Sequence, residues 1–102
     1  MKPSILFMLP VAPAVLGMAC STRTRYYCGH TLLTMGDWLP DIETALANAG
    51  VEQTEHAIED SIFTCVDDYA IIYSSACTYS CIETGAGSPD YCAPGSDVNS
   101  SS

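Results

Sequence analysis

Six cysteines in a chain of 102 residues constrain this protein more than any other feature. They are Cys20, Cys28, Cys65, Cys77, Cys81 and Cys92. An even set of cysteines in so short a chain is either a disulfide framework or a set of metal ligands, and the compartment decides between them. A chain of this size builds one small domain, whose core barely offsets the entropy of ordering it. Covalent staples therefore have a physical reason to be present.

The first nineteen residues speak to the compartment. Lys2 gives a positive start, and Ile5 to Leu16 is apolar apart from the interruptions at Pro10 and Pro13. Gly17 and Ala19 then stand third and first before a cut after Ala19. This is the pattern of a secretory signal peptide over residues 1–19, with a cut after Gly17 as a variant. The apolar run is short of the ~20 residues that a membrane-spanning anchor needs, and no other segment is long and apolar enough, so no membrane insertion is expected once the leader is removed. A lipoprotein reading of Cys20 is poorer, because Gly17 occupies the place of the leucine in that motif. Export leads to an oxidising compartment, which favours disulfides over metal for all six cysteines. The rival metal set would join Cys77 and Cys81 to His30 or His56. It lacks a Cys-x2-Cys pair, and no metal ligand is assigned. Sequence alone does not choose the disulfide pairing.

After the leader, Arg23 and Arg25 face all twelve acidic residues, within a whole-chain net charge of −9. Such a chain is repelled by phosphate backbones and anionic lipid surfaces, which excludes nucleic acid as a natural partner. Charged residues are nevertheless only 15% and apolar residues 48%, so the chain is not an acidic disordered tail.

Local patterns predict an α+β domain over residues 20–92, with one main helix packed on a small antiparallel sheet and stapled by disulfides. Arg23 to Cys28 and Thr31 to Met35 read as extended, with Gly29 breaking between them. Asp37 to Gly50 reads as the main helix. Pro40 suits its first turn, Asp41 and Glu43 suit its positive end, and Ile42, Ala45, Leu46 and Ala49 form one apolar stripe. Gly50 offers a left-handed stop, and Thr54 caps a second short turn through Glu59. Ser61 to Val66 and Tyr69 to Tyr73 read as strands. The turn at Asp67-Asp68 between them lacks a glycine, which points to a lengthened loop. Ala76 to Ile82 is a third strand or an irregular stapled segment, and a loop follows from Gly85 to Pro89. Residues 93–102 are expected to be a disordered tail carrying a glycosylation sequon at Asn99.

Residues for catalysis are scarce. His56 lies between Glu55 and Glu59 without a nucleophile or a cation, and His30 follows a turn glycine with Arg23 and Arg25 near in sequence. Asp67, Asp68 and Asp90 would offer oxygen ligands to calcium, but they fit no calcium-loop spacing. Trp38 reads as a core anchor. The six tyrosines suit interfaces as well as a sheet core. No catalytic residue, metal ligand or cofactor-binding residue is assigned.

Several segments carry a resemblance. They are Tyr26-Tyr27-Cys28-Gly29, the helix Ile42 to Gly50, Ser61 to Cys65, Cys77-x3-Cys81, and Ser88-Pro89-Asp90-Tyr91-Cys92. With the leader and the acidic composition, the chain resembles fungal small secreted cysteine-rich proteins, in particular the biotrophy-associated effectors of plant-infecting blast fungi. That resemblance implies a non-catalytic effector in the host apoplast that binds a host protein or cell-surface component, with entry into host cells as a further route. Ala19-Cys20, Tyr26-Tyr27-Cys28-Gly29 and the helix ending at Ala49-Gly50 are also similar to fungal guanyl-specific ribonucleases and to ribonuclease-like mildew effectors. A small hydrolase, or a relative that has lost the activity, is therefore one alternative. No arginine follows Arg25 and no histidine follows His56 on the segment that should carry that chemistry. A protease inhibitor presenting Gly85 to Tyr91 is another alternative.

Overall fold

The computed structural model describes residues 18–85 and 87–94. Its elements are β1 (Tyr26–Cys28), α1 (Gly29–Met35), α2 (Leu39–Asn48), α3 (Glu55–Asp60), β2 (Ser61–Asp67), β3 (Ala70–Ala76), β4 (Cys81–Ile82) and β5 (Tyr91–Cys92). β1, β2 and β3 form an antiparallel sheet in that order, and β4 and β5 form a separate two-stranded ladder. The expected α+β architecture is present, with helices packed on a small antiparallel sheet. None of the described helices is long and apolar enough to cross a membrane.

The main helix follows its sequence signals. Pro40 sits in the first turn of α2 with Asp41 beside it, and Ile42, Ala45 and Leu46 are buried. The helix ends at Asn48, earlier than the stripe suggests, and Ala49 is exposed. Gly50 takes φ 74°, and Val51 N–H donates to the Leu46 carbonyl at 2.9 Å, which closes the end. The Thr54 hydroxyl accepts from Ala57 N–H at 3.0 Å and starts α3.

The N-terminal segment departs from expectation. Thr31 to Met35 is helical, and Gly29 opens α1 instead of breaking the chain. A Cβ on Gly29 would stand 1.6 Å from the Ile58 carbonyl oxygen, so glycine is what lets α1 lie directly on α3. Arg23 to Cys28 is extended only from Tyr26, because residues 22–24 turn and Arg25 adopts φ 72°.

The β2–β3 hairpin is present, but its loop is short. Asp67 pairs with Ala70, leaving Asp68 and Tyr69 at the tip. The irregularity expected of the loop appears inside the ladder instead. Cys65 pairs with Ile71, so Val66 is an extra residue on β2, and a second shift leaves Ser74 extra on β3.

The sheet buries both faces at its β1–β2 end. On one face Tyr27, Phe63 and Cys65 join Leu32, Trp38, Ile42 and Leu46 in the main core. Trp38 is there as the anchor the sequence suggests, and its indole N–H donates to the Met18 carbonyl at 3.2 Å. Phe63 and Tyr73 meet edge to face across the strands at 6.2 Å. On the other face Cys28 and Ile62 pack with Cys77 and Cys81. Three disulfides tie these layers: Cys20–Cys65, Cys28–Cys81 and Cys77–Cys92. All six cysteines are paired.

The expected leader falls on residues 1–19, of which 1–17 lie outside the described residues, as do Asn99 and the tail from residue 95. Met18 is tied to the fold, donating its N–H to the Met35 carbonyl at 3.0 Å. Ala93, placed in the tail by the sequence reading, donates to the Ser80 carbonyl at 2.8 Å.

Candidate functional site

The loop from Cys77 to Cys81 is a surface segment held at both ends. Both of its ends are cross-linked, Cys77 to Cys92 and Cys81 to Cys28. The backbone between those bridges is clamped from below. Cys77 N–H donates to the Asp60 carbonyl at 3.1 Å, and Cys81 N–H donates to Asp60 Oδ1 at 2.8 Å. The Cys77 carbonyl accepts from His56 Nε2 at 2.9 Å, and the Cys81 carbonyl accepts from His30 Nε2 at 2.8 Å. Ala93 N–H holds the Ser80 carbonyl. Above this frame Thr78, Tyr79 and Ser80 are exposed, and Tyr79 shows 56% of its surface.

Local sequence explains the clamp. α3 is a single short helix whose last residue runs straight into β2, so Asp60 sits at a junction where both its carbonyl and its carboxylate face the loop. His56 lies four residues earlier, on the same helix face. Its Nδ1 is 3.3 Å from Asp60 Oδ2, a contact that becomes an ion pair when the imidazole is protonated. His30, second residue of α1, reaches the far end of the loop.

The two histidines weighed as catalysts are thus brought to opposite ends of one loop. His56 is paired with Asp60, not with Glu55 or Glu59. Its two ring nitrogens thus lie against protein oxygens on either side, Asp60 Oδ2 and the Cys77 carbonyl, while half of the side chain stays exposed. Arg25 is not part of this cluster; its guanidinium lies over the Tyr26 ring, 5.8 Å from the centroid. The rival metal set is taken apart, since Cys77 and Cys81 bridge to different cysteines. Among the described residues, one group approaches metal-ligand spacing: Cys28, His30 and Cys81. Its two sulfurs are bonded to each other.

The calcium candidates separate as well. Asp90 is buried, with 6% of its surface exposed, and its carboxylate accepts from Cys28 N–H at 2.9 Å and Thr84 N–H at 3.2 Å. Asp67 Oδ1 accepts from Asp68 N–H at the exposed hairpin tip. Asp90 is therefore a structural bracket. It ties the Gly85–Pro89 loop to the outer edge of β1, where Asp90 N–H also donates to the Tyr26 carbonyl at 3.0 Å.

A cavity of about 340 Å³ opens beside that loop, walled in part by Met18, Tyr27, Thr31, Met35, Glu83 and Asp90. The Thr31 hydroxyl is buried without a hydrogen-bond partner. Both oxygens of Asp90 are already engaged.

Sequence reading missed Asp60, the residue that organises the loop. The available signal was its spacing of four from His56, which matches a helical turn better than the neighbouring Glu59. No protein-family model matches the chain, and no match was found among curated proteins or among solved structures.

Proposed function

We propose that this chain is exported and acts outside the producing cell as a non-catalytic binding protein, an effector that contacts a host protein or cell-surface component. The observation that carries the reading is the clamped loop Cys77–Cys81, which holds Tyr79 out to solvent on a frame of two disulfides and five hydrogen bonds. An exposed aromatic carried on a fixed backbone costs little backbone entropy when it is covered, and tyrosine is among the side chains that dominate binding energy at interfaces. Three disulfides accord with an oxidising, extracellular setting.

Saturable binding of labelled oxidised protein to intact host cells, or to purified components of the host extracellular fluid, tests this reading. Competition by unlabelled oxidised protein, with loss on reduction and alkylation, is the expected result. Tyr79→Ala is expected to weaken binding by about tenfold or more. Binding that survives both reduction and Tyr79→Ala refutes the reading.

The ribonuclease-like alternative is favoured by one observation, the His56–Asp60 pair. It requires RNA cleavage that His56→Ala abolishes. Absence of cleavage at high concentrations of the intact chain removes it. The excess of acidic groups supports that outcome. The protease-inhibitor alternative rests on Gly85 to Tyr91, a loop braced by Thr84 and Asp90, and titration against host extracellular proteases decides it.

A further inference from the structure

The two outer edges of the sheet are treated differently. The free edge of β1 is occupied: Asp90 accepts from Cys28 N–H and donates its own N–H to the Tyr26 carbonyl. The free edge of β3 is open. Among the described residues, no backbone–backbone hydrogen bond joins Ala70–Ala76 to any segment other than β2. An open edge is a template for another strand, and proteins ordinarily blunt it with charge, proline or cover.

None of those devices guards Ala70 to Tyr73. The stretch Tyr69 to Ile82 contains neither a charged residue nor a proline, in a chain of net charge −9. The bulge at Ser74 limits the regular edge to its first half. That half is apolar and accessible: Ile72 exposes 53% of its surface, and Tyr69 and Val66 beside the hairpin tip expose 62% and 50%. Under the edge a groove of about 220 Å³ runs between the C-terminal half of α2 and the strand, lined by Ala45, Ala49, Ile71 and Tyr73 among others. An added strand would lay its core-facing side chains there.

We infer that the occupant is the same strand of a second copy, paired antiparallel through Ala70–Tyr73 to give a continuous six-stranded sheet. Charge selects this partner. A strand carrying charge of either sign would lay it on an apolar edge that offers no counter-charge along Ala70–Ala76. β3 itself is uncharged and apolar. Antiparallel pairing sets the Asp67-Asp68 end of each strand against the uncharged Ser74–Ala76 end of the other, whereas a parallel pair would stack the aspartates. The contact is isologous. Because the β1 edge is already occupied, the assembly closes at two copies and does not extend into a fibre.

Sedimentation of the oxidised chain from about 10 µM to about 1 mM tests this, a range that spans weak to moderate association. The expected result is a reversible monomer–dimer equilibrium that strengthens with NaCl, because screening relieves repulsion between two acidic copies. Ile72→Lys places like charges face to face and is expected to weaken dimerisation at least about tenfold. Gln53→Lys, the same charge change on the exposed connection between α2 and α3, is expected to leave it in place. Hydrogen exchange on the unmodified chain gives a readout that needs no variant: amides of Ala70–Tyr73 slow as concentration rises. A chain that stays monomeric at about 1 mM overturns the inference. So does a dimer indifferent to Ile72→Lys with no added protection on β3. Capture of an uncharged extended peptide at this edge by a monomeric chain assigns it to a different partner and overturns it equally.

Discussion

Replacing Gly29 by alanine puts the packing of α1 on α3 under direct test. The added Cβ would lie 1.6 Å from the Ile58 carbonyl oxygen, 2.8 Å from its carbon and 3.3 Å from the Glu59 Cα. Ordinary contact begins near 3.4 Å, so the two backbones must separate by more than an ångström. No flexible side chain can absorb this, because every atom met is main chain. The separation also pulls on the clamp. Gly29 lies between Cys28, bridged to Cys81, and His30, bonded to the Cys81 carbonyl, while α3 carries His56 and Asp60. Overpacking costs about 1–3 kcal/mol when side chains can adjust, and the upper end or beyond applies here. Alanine is otherwise the better helix former, by less than about 1 kcal/mol at this first helical position, which offsets only part of the cost. The net expectation is a loss of about 2 kcal/mol, or roughly 8–16 °C in Tm for a domain of this size. Urea unfolding of the oxidised protein, followed by the fluorescence of Trp38, measures it. Gly50→Ala serves as the comparison: nothing lies within 4 Å of its Cβ, and its cost is only that of holding alanine at φ 74°, about 1 kcal/mol. A Gly29→Ala protein as stable as the parent, or less affected than Gly50→Ala, would refute the close approach of the two helices.

The remaining expectations concern the staples and the buried polar groups. The Cys77–Cys92 bridge closes a separation of 15 residues and Cys28–Cys81 one of 53. Chain entropy gives about 3 and about 4 kcal/mol respectively, so paired serine substitutions should lower the urea midpoint more for the second bridge. Asp90→Ala leaves the N–H groups of Cys28 and Thr84 without their acceptor and should cost about 2–4 kcal/mol in the same assay. An effect below about 0.5 kcal/mol would mean that water replaces the carboxylate there. Ser61 is fully buried and its hydroxyl has no partner. Ser61→Ala should therefore be neutral or raise Tm slightly, and a clear loss of stability would reveal a partner for that hydroxyl.

The sequence was informative where local chemistry and tertiary demand agree. Thr54 caps α3 because a threonine before a short acidic helix has one obvious use for its hydroxyl. α2 was legible because ten residues suffice for Ile42, Ala45 and Leu46 to repeat on one side. α1 was not, because seven residues give its periodicity no room to show, and Thr31-Leu32-Leu33-Thr34 has the composition of a strand. What makes it a helix is distant in sequence: the α3 backbone that meets Gly29 and the core that closes over Leu32. The clamp was illegible for the same reason. His30, His56 and Asp60 each make unremarkable local patterns, and only the β2–β3 turn and the bridges bring Cys77 and Cys81 within their reach. Asp90 has the local pattern of a loop acid, and only its burial against two distant amide groups makes it structural.

The distribution of these ties bears on function as much as on stability. Fixing a backbone costs roughly 1–2 kcal/mol per residue, so a free loop such as Cys77 to Cys81 would lose roughly 5–10 kcal/mol on being ordered against a partner. A domain concerned only with its own stability has no need to order an exposed loop so thoroughly, since Thr78, Tyr79 and Ser80 add almost nothing to the core. Here two bridges and five hydrogen bonds converge on that loop, and both histidines of the chain serve it. The ordering cost is met during folding, where the disulfides offset it by restricting the unfolded chain. Under the proposed binding function, what remains to be met on contact is the ordering of the Tyr79 side chain and the desolvation of its ring and the neighbouring hydroxyls.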